Sequence, residues 1–121
     1  MFDIDKFKEI NDEYGHLIGD KILIRMTELI KNEIREIDSF ARYGGDEFMI
    51  INPETKLNGA VELAERLRKK IEDTDFAKVE KVSCSFGVAQ LKAEDDIDSF
   101  LKRVDDYLYK AKEKRNSVYY L

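Results

Sequence analysis

Two adjacent glycines, Gly44-Gly45, divide an apolar-containing run over 38–43 from another over 47–52. No other feature restricts the fold as strongly. Two glycines between strand-like runs predict a two-residue β-hairpin, because the tight turns that match strand twist require positive φ. On both sides of the hairpin the apolar spacing becomes helical. Ile22, Met26, Leu29, Ile30 and Ile34 predict an amphipathic helix over roughly 20–36. Leu57, Val61, Ala64, Leu67 and Ile71 predict another over about 56–73, with Thr55 as its expected N-cap. Ile97, Phe100, Leu101, Val104, Leu108 and Ala111 mark a third over about 96–113, and a short helix is expected over about 5–13. Within 79–90, Val82, Cys84, Phe86 and Val88 alternate with Ser83, Ser85, Gly87 and Ala89, the period of a strand. Ser117 to Leu121 reads as a short final strand, and Asp3-Ile4-Asp5 as the end of a strand stub. A hairpin set among helical connections predicts an α+β fold with a central antiparallel sheet packed with helices.

The 121 residues form one domain, 1–121, with a single core. An apolar share of 43 % beside a charged share of 39 % describes a globular chain with a heavily charged surface. A formal net charge of −5 argues against a nucleic-acid backbone binder, which needs a basic face, but leaves room for a small nucleotide. The single cysteine, Cys84, excludes an internal disulfide and fits a reducing compartment. The apolar stretches are too short to span a bilayer and no signal peptide is evident. The expectation is a cytoplasmic domain, alone or within a larger protein, with no nucleic-acid or membrane contact.

The residues that carry chemistry lie at strand ends and turns. Asp3 ends the stub, and Asp46 and Glu47 follow the glycines. Three carboxylates converging on one sheet edge would suit Mg²⁺, or Mn²⁺ in its place, as hard ions that take oxygen ligands. Gly44 and Gly45 would leave space for a triphosphate against the backbone. The alternative is a solvated hairpin with charged shoulders. Asp3-Ile4-Asp5 is not a calcium loop, because loop positions 6 and 12 hold Lys8 and Tyr14 where glycine and glutamate are required. There is no GxxxxGK[ST] loop. His16 is the only histidine and reads as a structural hydrogen-bonder. Asn11 and Asp20 have the donors and acceptors to read a guanine edge, or they form a turn with Asp20 capping the next helix. Lys112 and Arg115 either complement a helix C-terminus or contact phosphate.

Arg42-Tyr43-Gly44-Gly45-Asp46-Glu47-Phe48 resembles the signature of GGDEF domains, the diguanylate cyclases. Asp3-Ile4-Asp5-Lys6-Phe7-Lys8-Glu9-Ile10-Asn11-Asp12 is similar to the family's DxDxFKxIND segment, and Tyr14-Gly15-His16 and Gly19-Asp20 continue it in order. Ser85-Phe86-Gly87-Val88-Ala89 resembles the SxGxA strand. Asp105 or Asp106 with Tyr109, Ala111 and Lys112 resembles the D-x-x-LYxAK helix. The resemblance implies a ferredoxin-like fold of the nucleotide-cyclase and polymerase-palm kind. It implies Mg²⁺-dependent condensation of two GTP into cyclic di-GMP by a homodimer, usually under an upstream sensor domain. By position it implies Asp3 and Asp46 as metal ligands with the Ile4 carbonyl, and Glu47 as a further ligand or as helper in deprotonating the 3′-hydroxyl. Asn11 and Asp20 would recognise guanine, Phe7 and Lys8 would meet the triphosphate, and Lys112 and Arg115 would hold the terminal phosphates. Arg35-Glu36-Ile37-Asp38 resembles the RxxD product-inhibition site, with Arg66 or Arg68 completing it.

Two departures qualify the resemblance. The family carries a DxLTGLxNR segment, a helix and most of a strand ahead of the position of Asp3. The expectation is therefore a domain lacking its N-terminal segment, with apolar surface exposed and with binding of GTP or cyclic di-GMP without turnover as the alternative activity. The family's AKxxGRN reads Ala111-Lys112-Glu113-Lys114-Arg115-Asn116 here, one residue short and without its glycine. A helix continued through this point would rotate Arg115 by about 100°.

Overall fold

The computed structural model describes all 121 residues. Five strands and four helices follow the order read from the sequence: β1 (Phe2–Ile4), α1 (Phe7–Tyr14), α2 (His16–Glu33), β2 (Ser39–Gly44), β3 (Glu47–Ile51), α3 (Leu57–Asp73), β4 (Cys84–Gly87), α4 (Ile97–Lys114) and β5 (Val118–Tyr119). The sheet order is β2-β3-β1-β4-β5. The fold is α+β as expected. The sheet is antiparallel except at one edge, where β4 and β5 run parallel.

The three residues of β1 lie at the centre, paired with β3 on one side and β4 on the other. Strand alternation sends Phe2 and Ile4 to one face and Asp3 to the other. On the first face Phe40, Phe48, Phe2 and Phe86 stack in sequence across four strands, with centroids 5.7, 5.1 and 4.7 Å apart. Each such contact contributes roughly 0.5–1.5 kcal/mol beyond the area it buries. Ile22, Met26 and Ile30 of α2 and Ala64, Leu67 and Ile71 of α3 cover this face and complete the main core. On the second face the small side of β4, Ser85 and Gly87, admits α4. A Cβ on Gly87 would lie 2.3 Å from the Leu108 nitrogen and 2.8 Å from the Val104 carbonyl oxygen. Glycine there sets the depth at which α4 docks on the sheet.

Several local expectations change. The hairpin loop is Gly45-Asp46, not Gly44-Gly45: Gly44 still pairs with Glu47, and Tyr43 is the extra residue of a bulge between Arg42 and Gly44. Only Gly45 of the pair has positive φ, at 53°. Helix α2 starts at His16 after Gly15, whose φ of 90° turns the chain, so Asp20 lies inside the helix and caps nothing. Thr55 is not the N-cap of α3. That position is Lys56, without a side-chain cap, and the Thr55 hydroxyl donates to the Pro53 carbonyl. Only Cys84–Gly87 of the 79–90 run is strand, because β1 offers just three partners. The preceding segment instead forms a Phe76–Val79 bridge that buries both residues. Helix α4 stops at Lys114, and the predicted rotation of Arg115 does not occur.

Candidate active site

Asp3 is the pivot of the site. Its cross-strand partners are Glu47 on β3 and Ser85 on β4, so these side chains share its face of the sheet. The residue is only 2 % exposed. One carboxylate oxygen, Oδ2, receives the Lys112 ammonium at 2.7 Å. The other, Oδ1, is buried with no hydrogen-bond partner. Burial pushes the Asp3 carboxyl up to about 6, against the pull of Lys112 and with the charges of Asp46 and Asp5 adding to the rise. The Lys112 ammonium is shifted upward, as for a lysine that gains a carboxylate partner, chiefly by its bond to Asp3. A buried carboxylate with a free oxygen and a resident cation on its other oxygen is a poor stabilising device, since desolvation offsets much of the attraction. It is a good acceptor for a cation.

The hairpin brings the other acidic groups alongside. Asp46 occupies the loop, and its carbonyl accepts the Ile4 N–H at 3.3 Å. Glu47 begins β3 opposite Asp3. No three acidic side chains close into a ligand cluster; adjacent carboxylates repel one another, and Lys112 supplies the positive charge at Asp3. A Cβ on Gly44 or Gly45 would meet no atom within 4 Å, so the turn has open space above it.

Asp3 and the neighbouring α1 share an approach. Lys6 has φ 54° and breaks the chain between β1 and α1. The amides of Phe7 and Lys8 fall in the first turn, where N–H groups have no intrahelical acceptor. Asn11 lies one turn on, against Gly19 of α2: a Cβ there would lie 1.9 Å from Asn11 Oδ1. Asp20 is the next residue and is exposed. The far wall is the end of α4 and the turn into β5. Lys112 and Arg115 line a cleft of about 870 Å³ together with Asp5, Lys6 and Asn116. The cleft lining includes neither Asp3, Phe7, Lys8, Asn11, Asp20 nor the hairpin; Lys112 joins it to the acidic edge through its ion pair with Asp3.

The sequence matches the family profile described as diguanylate cyclase, GGDEF domain, over residues 1–117. This chain belongs to the GGDEF family. It is 39 % identical over 119 residues to the diguanylate cyclase DgcM of Escherichia coli (strain K12), covering 98 % of this chain and 29 % of that protein. It is 39 % identical over 125 residues to the response regulator PleD of Caulobacter vibrioides (strain NA1000 / CB15N), covering 98 % and 28 %. The chain thus spans less than a third of these curated relatives. Its fold matches the GGDEF domain of DgcB from Caulobacter crescentus, solved in complex with c-di-GMP, at a TM-score of 0.93 and 28 % identity over 98 % of this chain and 72 % of that one. It matches the active GGEEF domain of a diguanylate cyclase from Vibrio cholerae at 0.92 and 34 % identity over 98 % and 78 %.

In this GGDEF domain the RxxD residues lie away from the acidic edge, where α2 gives way to β2. The Arg35 guanidinium meets Asp38 Oδ1 at 2.8 Å through Nη2, and the same nitrogen donates to the Pro53 carbonyl and the Thr55 hydroxyl. The Asp38 carboxyl is held below its usual range, first by that arginine. Arg66 joins this region through Glu33, donating to its carboxylate at 3.1 Å. Arg68 instead points to Glu65 and Asn116. Between the two arginines left open by the sequence, Arg66 lies on the Arg35 side.

Sequence reasoning gave no role to Asp5. Its buried carboxylate accepts from the Ser83 hydroxyl at 2.8 Å, the Ser85 hydroxyl at 2.6 Å and the Asn116 N–H at 2.8 Å. The available signal was the serine pair on alternate positions of an otherwise apolar strand. Two hydroxyls aimed at one face call for a shared acceptor.

Proposed function

We propose that this domain condenses two GTP into cyclic di-GMP, releasing two pyrophosphates, as one half of a homodimer. The observation that carries the reading is the buried, unpartnered Oδ1 of Asp3, opposite Glu47 and beside Asp46. An orphaned oxygen of a buried carboxylate fits a hard divalent cation. Asp3, Asp46 and Glu47, with the Ile4 carbonyl, would hold Mg²⁺ or Mn²⁺. Such an ion, when bound, neutralises phosphate charge and lowers the barrier to attack at phosphorus.

The chain's own residues supply orientation and proton handling. Asn11 and Asp20 hold the guanine, which offers matching acceptors and donors. The amides of Phe7 and Lys8, with the Lys8 charge, meet the triphosphate, and Gly44-Gly45 leave it room. Lys112 and Arg115 hold its terminal phosphates. As substrate binds, the Lys112 ammonium passes from Asp3 to phosphate, and Asp3 becomes available to the cation. Glu47 is the group placed to assist loss of the 3′-hydroxyl proton. The hydroxyl oxygen then bonds to the α-phosphorus of the facing GTP, and that bond's formation expels pyrophosphate. Each domain holds one GTP, so two attacks across a two-fold interface close the ring.

Cyclic di-GMP also acts as feedback inhibitor at Arg35, Asp38 and Arg66. What supports this is the half-exposed Arg35 guanidinium, anchored by Asp38, Pro53 and Thr55 through Nε and Nη2 and leaving Nη1 to meet guanine or phosphate. An upstream sensor domain governs pairing of the domains, in line with the greater length of the curated relatives. No helix is long and apolar enough to cross a membrane, which fits a cytoplasmic setting. A second reading, nucleotide binding without turnover, draws on Arg115, a phosphate-contact candidate held at a φ of 63° that disfavours any residue but glycine.

The test is chromatography of products from GTP and Mg²⁺ over a range of protein concentration. Cyclic di-GMP formed with greater than first-order dependence on protein is expected. No product, with GTP or cyclic di-GMP bound tightly, would establish the second reading. For the inhibitory site, calorimetric titration of cyclic di-GMP should lose affinity in Arg35→Ala, and unchanged affinity would remove that site.

A further inference from the structure

The turn after α4 adopts a backbone that its residues disfavour. Arg115 has φ 63° and ψ 161°, a region occupied almost only by glycine. Asn116 follows with φ 44°, which asparagine tolerates better than most residues. Such a conformation persists only where its surroundings fix it. The Arg115 N–H donates to the Ala111 carbonyl at 2.8 Å, and the Ser117 hydroxyl donates to the same oxygen at 2.8 Å. The Asn116 side chain is tied to Glu72 and accepts from Arg68 at 3.1 Å. These contacts hold the turn to α3 and α4. Only one hydrogen bond ties it to the segment that bears Asp3: Asn116 N–H to Asp5 Oδ2.

We infer that Asp5 is a positioning residue for the terminal phosphates of the nucleotide, because its buried carboxylate clamps the Arg115–Asn116 turn and thereby keeps the Arg115 side chain in the cleft beside Lys112. The inference rests on the GTP-site reading above. Asp5 lies two residues after Asp3, just past β1, and is itself fixed by Ser83, just ahead of β4, and by Ser85 on β4. The cation-bearing turn is therefore located from the end of the strand that presents Asp3. Asp5, Lys112 and Arg115 line one cleft. A carboxylate with three donors is satisfied in place, so it neither attracts Arg115 across the cleft nor competes with a phosphate for it. Arginine at this position explains why the clamp matters: it holds the turn only at a conformational cost, so without external restraint the turn would relax and carry the Arg115 side chain with it.

The experiment compares a non-hydrolysable GTP analogue with GMP, by titration in Mg²⁺, on wild type, Asp5→Asn and Asp5→Ala, with melting curves alongside. Asp5→Asn keeps the volume; its amide nitrogen can donate to a reversed Ser85 hydroxyl while its oxygen still accepts from Ser83 and the Asn116 N–H, so it folds with the clamp weakened to a neutral hydrogen bond and carries the test even where Asp5→Ala does not. The analogue should bind about three-fold or more weakly to Asp5→Asn and about ten-fold or more weakly to Asp5→Ala, while GMP, which lacks the terminal phosphates, changes by less than about two-fold. In an Arg115→Ala background the Asp5 substitutions should no longer weaken the analogue. Equal losses for analogue and GMP, or an undiminished loss without Arg115, would overturn the inference and leave Asp5 a fold-supporting residue only. Wild type that binds neither nucleotide would overturn the GTP site itself and the role of Asp5 with it.

Discussion

Replacing Asp3 with asparagine should make the fold more stable while ending the proposed turnover of GTP. Asp3 is 2 % exposed and its carboxyl is raised from 3.8 to about 6. At neutral pH the folded chain therefore carries a charge it would rather shed. A shift of about two units corresponds to roughly 3 kcal/mol at about 1.36 kcal/mol per unit, and solvent reaching the half-exposed Lys112 end brings this to about 2 kcal/mol. Asparagine removes the charge at nearly constant shape. With its amide oxygen kept on Lys112, asparagine puts a neutral Nδ2 at the orphaned Oδ1 position, which costs less to bury than a charged oxygen. Because the folded value lies above the unfolded one, protonation stabilises wild type fully below 3.8, and that contribution is lost as pH rises through 6. Urea denaturation with a chelator present, at pH 8, 6 and 4, isolates the term as the difference between the two proteins. Asp3→Asn should lead by about 2 kcal/mol at pH 8, and the lead should shrink through pH 6 and vanish near pH 4. An Asp3→Asn protein less stable than wild type at pH 8, or a gap independent of pH, would refute the reasoning. Turnover of GTP should be abolished throughout.

Arg115→Gly should stabilise the domain by about 1–3 kcal/mol by relieving a glycine-only backbone, and urea denaturation measures it directly. Gly19→Ala should displace Asn11, whose Oδ1 lies 1.9 Å from the new Cβ; a cost of about 1–3 kcal/mol and a smaller preference for GTP over ATP in competition binding are expected. Gly87→Ala should be the most damaging of the set. Its Cβ meets backbone atoms of Leu108 and Val104, which cannot rotate away, so a loss above about 3 kcal/mol should appear in the denaturation midpoint or as insoluble protein.

The helices and the order of elements along the chain were legible because their cause is local: apolar spacing, repeated over several turns, fixes which face is buried. Where tertiary pairing decides, the sequence misleads. The two glycines located the hairpin but not its loop, since Gly44 keeps its place opposite Glu47 and a bulge at Tyr43 absorbs the extra residue. The alternation over 79–90 is real, yet a strand extends only as far as it finds a neighbour, and β1 is three residues long. Gly15 starts α2 through a positive φ where a polar cap was expected at Asp20. Within the site, the acidic residues could be named from the motif, whereas the Lys112–Asp3 pair joins opposite ends of the chain and follows only from α4 docking against Gly87. Asp5 was overlooked because its three donors come from β4, the residue just ahead of that strand and the α4–β5 turn, none of them near it in sequence.

The strained turn after α4 also bears on which sequences this position can hold. Arg115 occupies a backbone region that glycine fills almost alone. The resemblance to AKxxGRN then implies that turn length and glycine content vary together. A survey of related sequences should divide into chains with the longer turn and its glycine, and chains with the shorter turn and an arginine in the glycine slot. In the second group, drift toward glycine would be favoured by folding and opposed by function, so retention of arginine there marks lineages in which the nucleotide site is still under selection.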